Sequence, residues 1–372
     1  MKLIDRYLGR QILLSAFFAV LVLSIVLVLG SIFKYILAQL VDRPDLDLGF
    51  VAEILLNVLP FSLAITIPWG FLTAILLVFG RLSADNELVS LRMAGLSTPR
   101  ICLSVALLAL AFTGLCGWIK LSVEPAARHK LERMLPDMLY NLASKNPLAL
   151  FTDRQVMKEI PGYLIFAERE EDHLKHFQMV VLDKTSRPQV FVIAKRVNVG
   201  LDPEAETPTM LMDLRDAYFE LTSPDGEFSE MQPYAARSAP MPVGLDTLRD
   251  AQRKMKPETL QTPEILREIR NPEHKKDVVS SLKTEVSMRF AFSFACVTLG
   301  LIGVPLGITA QRRETSVGFA LSLLVGIAYF LLMTIVEMMR ENNSIRPYYL
   351  AWLPNLLFIG LGVYLFRRLA KK

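Results

Sequence analysis

Six long apolar stretches constrain the fold of this chain more than any other feature of its sequence. They contain no charged side chain and cover residues 11–33, 54–79, 101–119, 290–311, 315–336 and 347–366. A helix of roughly 20 apolar residues crosses the hydrocarbon core of a bilayer. A buried helix of a soluble protein would show a polar stripe, and these stretches do not. The pattern predicts a membrane α-helical fold with six transmembrane helices.

Charged residues, 21% of the 372 residues, are concentrated outside these stretches. The longest polar region separates the third stretch from the fourth. We therefore predict a first transmembrane triplet in residues 1–121, an inserted extracytoplasmic domain in 122–283 and a second transmembrane triplet in 284–372. The net charge of +4 is too small to indicate a nucleic-acid partner.

The positive charges of the short segments predict the orientation, because cytoplasmic loops are rich in Lys and Arg. When the six helices are placed across the membrane in chain order, most of these positive charges fall on one side: Lys2, Arg6, Arg10, Arg81, Arg92, Arg100, Arg312, Arg313, Arg367, Arg368, Lys371 and Lys372. The opposite short loops carry Lys34, Arg43, Arg340 and Arg346. We expect both termini in the cytoplasm and the large domain on the other side.

Within the large domain the hydrophobic period changes. Residues 151–221 contain short runs rich in β-branched and aromatic residues, separated by Pro, Gly and Asp. These runs predict an antiparallel β domain, either a sandwich or an open roll. Residues 124–146 before it are predicted to be helical, and Thr262-Pro263 is a plausible helix start after it.

The loop between the second and third spans has the signals of a short helix at about residues 83–95. Ser83 or Asp85 could cap its start, and Gly95 suits a left-handed C-terminal cap. Thr98 and Pro99 are predicted to open the third span. The helix could fit the groove of a cytoplasmic motor protein, with Leu88 and Leu91 on one side. The alternative is a connector that only lies on the lipid surface.

The chemistry-bearing motifs that would make this chain an enzyme are absent from the sequence. There is no Gly-rich phosphate loop followed by Lys-Ser/Thr, no His-Glu-x-x-His and no Gly-x-Ser-x-Gly. No cofactor or metal is expected, and a solvated turn explains His173 and His176 better than a metal site. Charges such as Lys34 and Lys120 lie at span ends, where snorkelling is the default explanation. The energy for any transport must therefore come from a partner.

Four segments resemble the lipopolysaccharide export permease family LptF/LptG. The most specific is residues 80–97, GRLSADNELVSLRMAGLS, which is similar to the coupling-helix signature of the family. The others are Leu3-Ile-Asp-Arg-Tyr-Leu-Gly-Arg10, Gly303-Val-Pro-Leu-Gly307 and Trp352-Leu-Pro-Asn355. Their order and spacing extend the resemblance over essentially the whole chain.

The resemblance implies a permease subunit of an ABC transporter in the bacterial inner membrane, without an ATPase site of its own. Its implied partners are a cytoplasmic ABC ATPase dimer, a second six-span permease subunit and periplasmic jellyroll adaptor proteins. Its implied substrate is lipopolysaccharide, passed to a periplasmic bridge for outer membrane biogenesis. The β domain would then be β-jellyroll-like, with a surface for acyl chains.

The resemblance also assigns roles to individual residues. Glu87 matches the coupling-helix glutamate that contacts the ATPase, and Asp85, Leu88, Leu91 and Arg92 lie on the same predicted helix. The basic residues Lys34 and Arg43 follow the first span, in a region where family members place cations against lipid A phosphates.

Two other functions remain open from the residues alone. One is a membrane-anchored sensor whose extracytoplasmic domain binds a ligand. The other is a mechanotransmitting ABC subunit that acts on periplasmic partners and moves no lipid. The split of three spans before and three after the domain disfavours the second, since such proteins usually have four spans.

Overall fold

The computed structural model of the chain describes most of its length. The described residues are 3–32, 48–151, 153–157, 160, 162–170, 172–183, 187–202, 209–221, 232–245, 257–272, 274–309, 315–340 and 346–370. The chain divides into two compact units: a helical unit of residues Met1–His129 and Lys256–Lys372, and an inserted unit of Lys130–Met255.

The six predicted spans are confirmed. In the described part of the chain, six helices are long and apolar enough to cross a membrane: Ile4–Gly30, Val51–Ala84, Arg100–Met134, Lys276–Thr309, Phe319–Met338 and Pro347–Leu369. The secondary-structure elements of these spans are α1 (Leu3–Ile32), α2 (Leu48–Ala84), α4 (Thr98–Trp118), α5 (Glu124–Lys145), α7 (Lys276–Ser293), α8 (Ala295–Thr309), α9 (Thr315–Met338), α10 (Pro347–Leu350) and α11 (Leu353–Ala370). A π-helical turn, Ile119–Val123, joins α4 to α5. The short helices α3 (Glu87–Met93) and α6 (Thr262–Glu268) lie in connections.

The helical unit is built around α2 and the α7–α8 span. In each of these two spans 72% of the most apolar window is buried within the protein, against 17% in α1. Close approach is possible because small residues face α2: a Cβ atom added at Gly307 of α8 would lie 2.9 Å from the Cβ of Phe79. The other spans keep wide apolar faces exposed, as lipid-facing or partner-facing helices do.

A buried asparagine fixes the last span. Asn355, which is 1% exposed, lies in the Trp352-Leu-Pro-Asn355 motif. Its Oδ1 accepts hydrogen bonds from Thr298 Oγ1 at 2.9 Å and Tyr329 OH at 3.1 Å, and its Nδ2 donates to the carbonyl of Ala291 at 2.8 Å. The motif therefore joins α11 to α7, α8 and α9, because every buried polar atom there needs a partner.

The inserted unit contains one antiparallel sheet of six strands in chain order. The strands are β1 (Gln155–Met157), β2 (Tyr163–Arg169), β3 (Leu174–Leu182), β4 (Pro188–Leu201), β5 (Thr209–Leu221) and β6 (Gln232–Gly244). The sheet is open rather than closed. Together, the six spans and this sheet confirm the predicted helical membrane fold with an inserted antiparallel β domain. The sequence reasoning had ended the β region at Leu221 and missed β6.

The alternation of buried and exposed residues shifts along one line across β3, β4 and β5. In each strand two buried residues are three apart instead of two: Leu174 and Phe177, Ala194 and Val197, Leu214 and Ala217. His176 and Asp216 lie on this line with positive φ angles of 48° and 51°. The shift occurs in all three strands at the same place, so their apolar side chains stay on one face of the sheet. That face is rich in methionine, with Met157, Met179, Met210 and Met212 buried.

Candidate functional site

The loop between α2 and α4 contains the predicted short helix, but it is shorter than residues 83–95. Ser83 belongs to the last turn of α2, and its hydroxyl donates to the carbonyl of Ile308 in α8 at 3.1 Å. Asp85 follows in a turn, and Asn86 with φ 57° precedes the first residue of α3. The prediction that Ser83 or Asp85 caps the helix was therefore wrong, because the chain makes a left-handed turn between α2 and α3.

The end of α3 has the predicted glycine cap. Gly95 adopts φ +86°, which L side chains rarely adopt. The backbone N–H of Gly95 donates to the carbonyl of Arg92 at 2.9 Å, and that of Leu96 donates to Leu91 at 3.1 Å. This is a Schellman motif, which satisfies the last carbonyls of a helix. Ser97, not Thr98, then occupies the N-cap position of α4.

The two sides of α3 have different roles. Leu88 is 5% exposed and belongs to the main core of the helical unit, against which Leu91 also packs. Asp85 and Arg92 are exposed, Glu87 is half-buried, and the exposed apolar residues are Val89 and Met93. The leucines therefore hold α3 on the bundle, and Val89 and Met93 face outward beside the charged residues.

Two polar contacts join this region to the start of α1. The hydroxyl of Tyr7 donates to Glu87 Oε2 at 3.2 Å. Asp5 accepts a hydrogen bond from Arg100 Nη2 at 2.6 Å and another from Ser104 Oγ at 3.1 Å. Sequence reasoning missed both contacts, since their partners are far apart along the chain.

Lys34 and Arg43 lie outside the described residues. Their predicted contact with lipid phosphates stays a prediction.

A cluster of charged residues occupies the opposite end of the helical unit, where the chain leaves for the inserted unit and returns from it. Within the described chain its members are Lys120, Glu124, Arg128, Glu258, Glu285, Arg289 and Arg340. Four are basic and three acidic, so their charges nearly balance. Opposite charges that pair in this way can remain buried near a membrane. We call this set the charge cluster.

Arg289 is the centre of the charge cluster and is 3% exposed. Its Nε donates to Glu285 at 2.8 Å and its Nη1 donates to Thr262 Oγ1 at 3.0 Å. Its Nη2 lies within hydrogen-bonding distance of three carbonyl oxygens, those of Pro257, Glu258 and Leu260, at 2.9–3.3 Å. Arg289 therefore fixes the segment that re-enters the helical unit.

The contacts of Lys120 differ from the snorkelling that was expected for it. Its side chain is only 13% exposed and pairs with Glu124 at 2.9 Å, and its Nζ lies 4.7 Å from the ring centroid of Phe292. The neighbouring Arg128 also pairs with Glu124, at 3.0 Å. The spacing of four residues between Lys120, Glu124 and Arg128 was the available sequence signal for this pairing.

The histidines at the edge of the sheet pair with carboxylates. His173 lies 3.2 Å from Glu170, and His176 lies 2.9 Å from Glu168. A hydrogen bond from the Lys175 ammonium lowers the pKa of Glu170 below its usual value. Among the described residues, no group of three or more His, Cys, Asp or Glu is arranged to hold a metal ion.

One comparison with known proteins identifies a relationship. The family model described as lipopolysaccharide export system permease LptF/LptG matches residues 6–368, nearly the whole chain. No curated protein matches the chain.

Proposed function

Because this chain belongs to the LptF/LptG family of lipopolysaccharide export permeases, we propose that it is one of two six-span subunits of an ABC transporter. Family membership makes it a transport subunit and not itself an enzyme. In the proposed complex, an ABC ATPase dimer binds on the cytoplasmic side. The complex extracts lipopolysaccharide from the inner membrane and passes it to periplasmic jellyroll adaptors.

The observation that carries the proposed ATPase contact is the construction of α3. Its buried Leu88 and its Schellman cap hold the helix rigidly on the bundle, and Asp85, Glu87, Val89 and Met93 remain accessible. A partner that grips a short helix needs such a fixed and partly apolar surface. The carboxylates and the exposed guanidinium of Arg92 favour a groove that contains charged side chains of both signs.

Because α3 contacts the cytoplasmic ATPase in this proposal, α3 and both termini lie in the cytoplasm. The inserted β domain is then periplasmic, and its buried methionine-rich face is chemically suited to acyl chains, since Met adapts to irregular apolar shapes. The proposed domain limits remain 1–121, 122–283 and 284–372. Lys34 and Arg43 are proposed to bind the phosphates of the lipid at the periplasmic end of the first span.

Replacing Glu87 by alanine is expected to weaken binding of the ATPase about 10-fold or more, since a charge-assisted contact is lost. Copurification of the ATPase from detergent, with a titration of the purified subunits, measures the effect. Glu337→Ala is the matched control, because Glu337 is an exposed glutamate at the opposite end of the bundle. Equal ATPase binding by the Glu87→Ala and Glu337→Ala proteins would exclude α3 as the coupling helix.

Replacing Lys34 by glutamate is expected to reduce photocrosslinking of lipopolysaccharide to probes placed beside it, because the exchange puts a carboxylate against a phosphate. Lys34→Arg keeps the charge and should retain crosslinking. If Lys34→Glu crosslinks as well as the wild type, Lys34 does not contact the lipid phosphate.

A further inference from the structure

The start of α1, residues 3–10, packs into the same core as α3 and the start of α4. Leu8 is fully buried and belongs to a cluster that also contains Leu88 and Ile101. Ile4, Leu91 and Leu96 pack against the cluster from its edge. A close-packed core transmits displacement rather than absorbing it. The three segments therefore share one packed core.

Asp5 strengthens the connection between α1 and α4. It is 7% exposed, and both of its carboxylate oxygens are occupied: Oδ2 by Arg100 at 2.6 Å and Oδ1 by Ser104 at 3.1 Å. Charge-assisted hydrogen bonds of this kind are about twice as strong as neutral ones. A small polar cluster thus pins the start of α1 to the first turns of α4.

Tyr7, two residues after Asp5, connects α1 to α3. Tyr7 is 44% exposed, and its hydroxyl donates to Oε2 of Glu87 at 3.2 Å. In the described part of the chain this is the hydrogen bond that restrains the Glu87 carboxylate. Tyr7 therefore fixes the direction of the carboxylate. Its exposed aromatic ring also lies next to the carboxylate, and aromatic side chains are enriched at protein interfaces.

We propose that residues 3–10 of α1 and α3 form one composite docking element for the cytoplasmic ATPase. In it, Tyr7 is a positioning residue for Glu87, and Asp5 carries displacement of the element to α4. This inference rests on the proposed function of α3. The occupant is the one proposed for α3, and the element offers it accessible charges of both signs beside exposed apolar side chains: Asp85, Glu87, Arg6, Arg10, Arg92, Tyr7 and Met93. Its complement is a protein groove with charged side chains of both signs beside apolar side chains.

The role of Tyr7 is tested by Tyr7→Phe, which removes only the hydroxyl. We expect the two permease subunits, assembled in nanodiscs without the ATPase, to bind the purified ATPase about 2- to 10-fold more weakly, because one restraining hydrogen bond is lost. The Tyr7→Phe/Glu87→Ala double variant should bind no more weakly than Glu87→Ala alone, as residues that act together are not additive. Tyr349→Phe, an exposed tyrosine at the other end of the bundle, is the control.

The outcomes separate this inference from the proposed function. If Glu87→Ala weakens binding and Tyr7→Phe does not, or if the two effects add, the positioning role is overturned and the coupling helix stands. If neither variant weakens binding, the proposed function of α3 itself fails.

The role of Asp5 is tested by Asp5→Asn, with Ser104→Ala as the milder variant. We expect ATPase binding and hydrolysis to persist, while the lipopolysaccharide moved per ATP falls at least about threefold in Asp5→Asn and less in Ser104→Ala. Arg100→Gln added to Asp5→Asn should cause no further loss. Unchanged transport per ATP in both single variants would overturn the transmission role. A loss of ATPase binding in step with transport would also overturn it, since Asp5 would then only maintain the fold.

Discussion

Exchange of Arg289 for methionine is expected to lower the free energy of unfolding of the helical bundle by about 3–5 kcal/mol, as loss of one member of a buried ion pair does. The expectation follows from the central position of Arg289 in the charge cluster. Its removal leaves Glu285 with Arg340 as its remaining partner and leaves three loop carbonyls without their guanidinium donor. Those carbonyls belong to the segment that returns from the inserted unit.

Unfolding in detergent can be followed with a thiol-reactive dye, because Cys116 and Cys296 are fully buried. Arg267→Met serves as the control, since Arg267 is exposed on the neighbouring helix α6. Equal unfolding temperatures for the Arg289 and Arg267 variants would show that the charge cluster does not stabilise the bundle.

Gly326→Ala is expected to destabilise the contact between α9 and α2 by about 1–3 kcal/mol, the usual cost of overpacking. A Cβ atom at Gly326 would lie 2.4 Å from Trp69 Nε1 and 2.6 Å from its Cε2, so the indole ring would have to move. Such a movement would break the hydrogen bond from Trp69 Nε1 to the carbonyl of Ser322, which is 3.2 Å long. The same thermal assay measures the loss.

Gly360→Ala is the matched control for that experiment, because an added Cβ atom there meets nothing within 4 Å. Trp69→Leu combined with Gly326→Ala should be less destabilised than the sum of the two single variants, since the smaller side chain makes room for the methyl group. If Gly326→Ala is as stable as Gly360→Ala, the close contact of α9 with α2 is not required.

The membrane spans and most strands could be predicted because their signals are local. An uncharged stretch of sufficient length or a short β-branched run identifies its element without knowledge of its neighbours. The missed strand β6 contains Pro233, Pro240 and Pro242, which disfavour a strand in the interior of a sheet. The structure places β6 at the edge, where a residue without an N–H group is tolerated.

The candidate sites depended on contacts that the sequence does not reveal. Glu87 was named correctly as a residue of the short helix, but the helix starts after a left-handed turn at Asn86, a conformation that Asn tolerates. Leu88 faces the core because of how α3 packs on the bundle, and the hydrophobic period of the sequence did not reveal this orientation. The charge cluster joins residues from position 120 to position 340, so only its pairs at i and i+4 were visible beforehand.

ATP-driven release of lipopolysaccharide from proteoliposomes tests the proposed transport function most directly. The vesicles would contain this chain, a second permease subunit and the ABC ATPase, with a soluble jellyroll adaptor as acceptor. We expect lipopolysaccharide to reach the adaptor only with ATP and to decrease strongly with Glu87→Ala. Transfer that is the same without ATP, or the same without this chain, would contradict the proposed function.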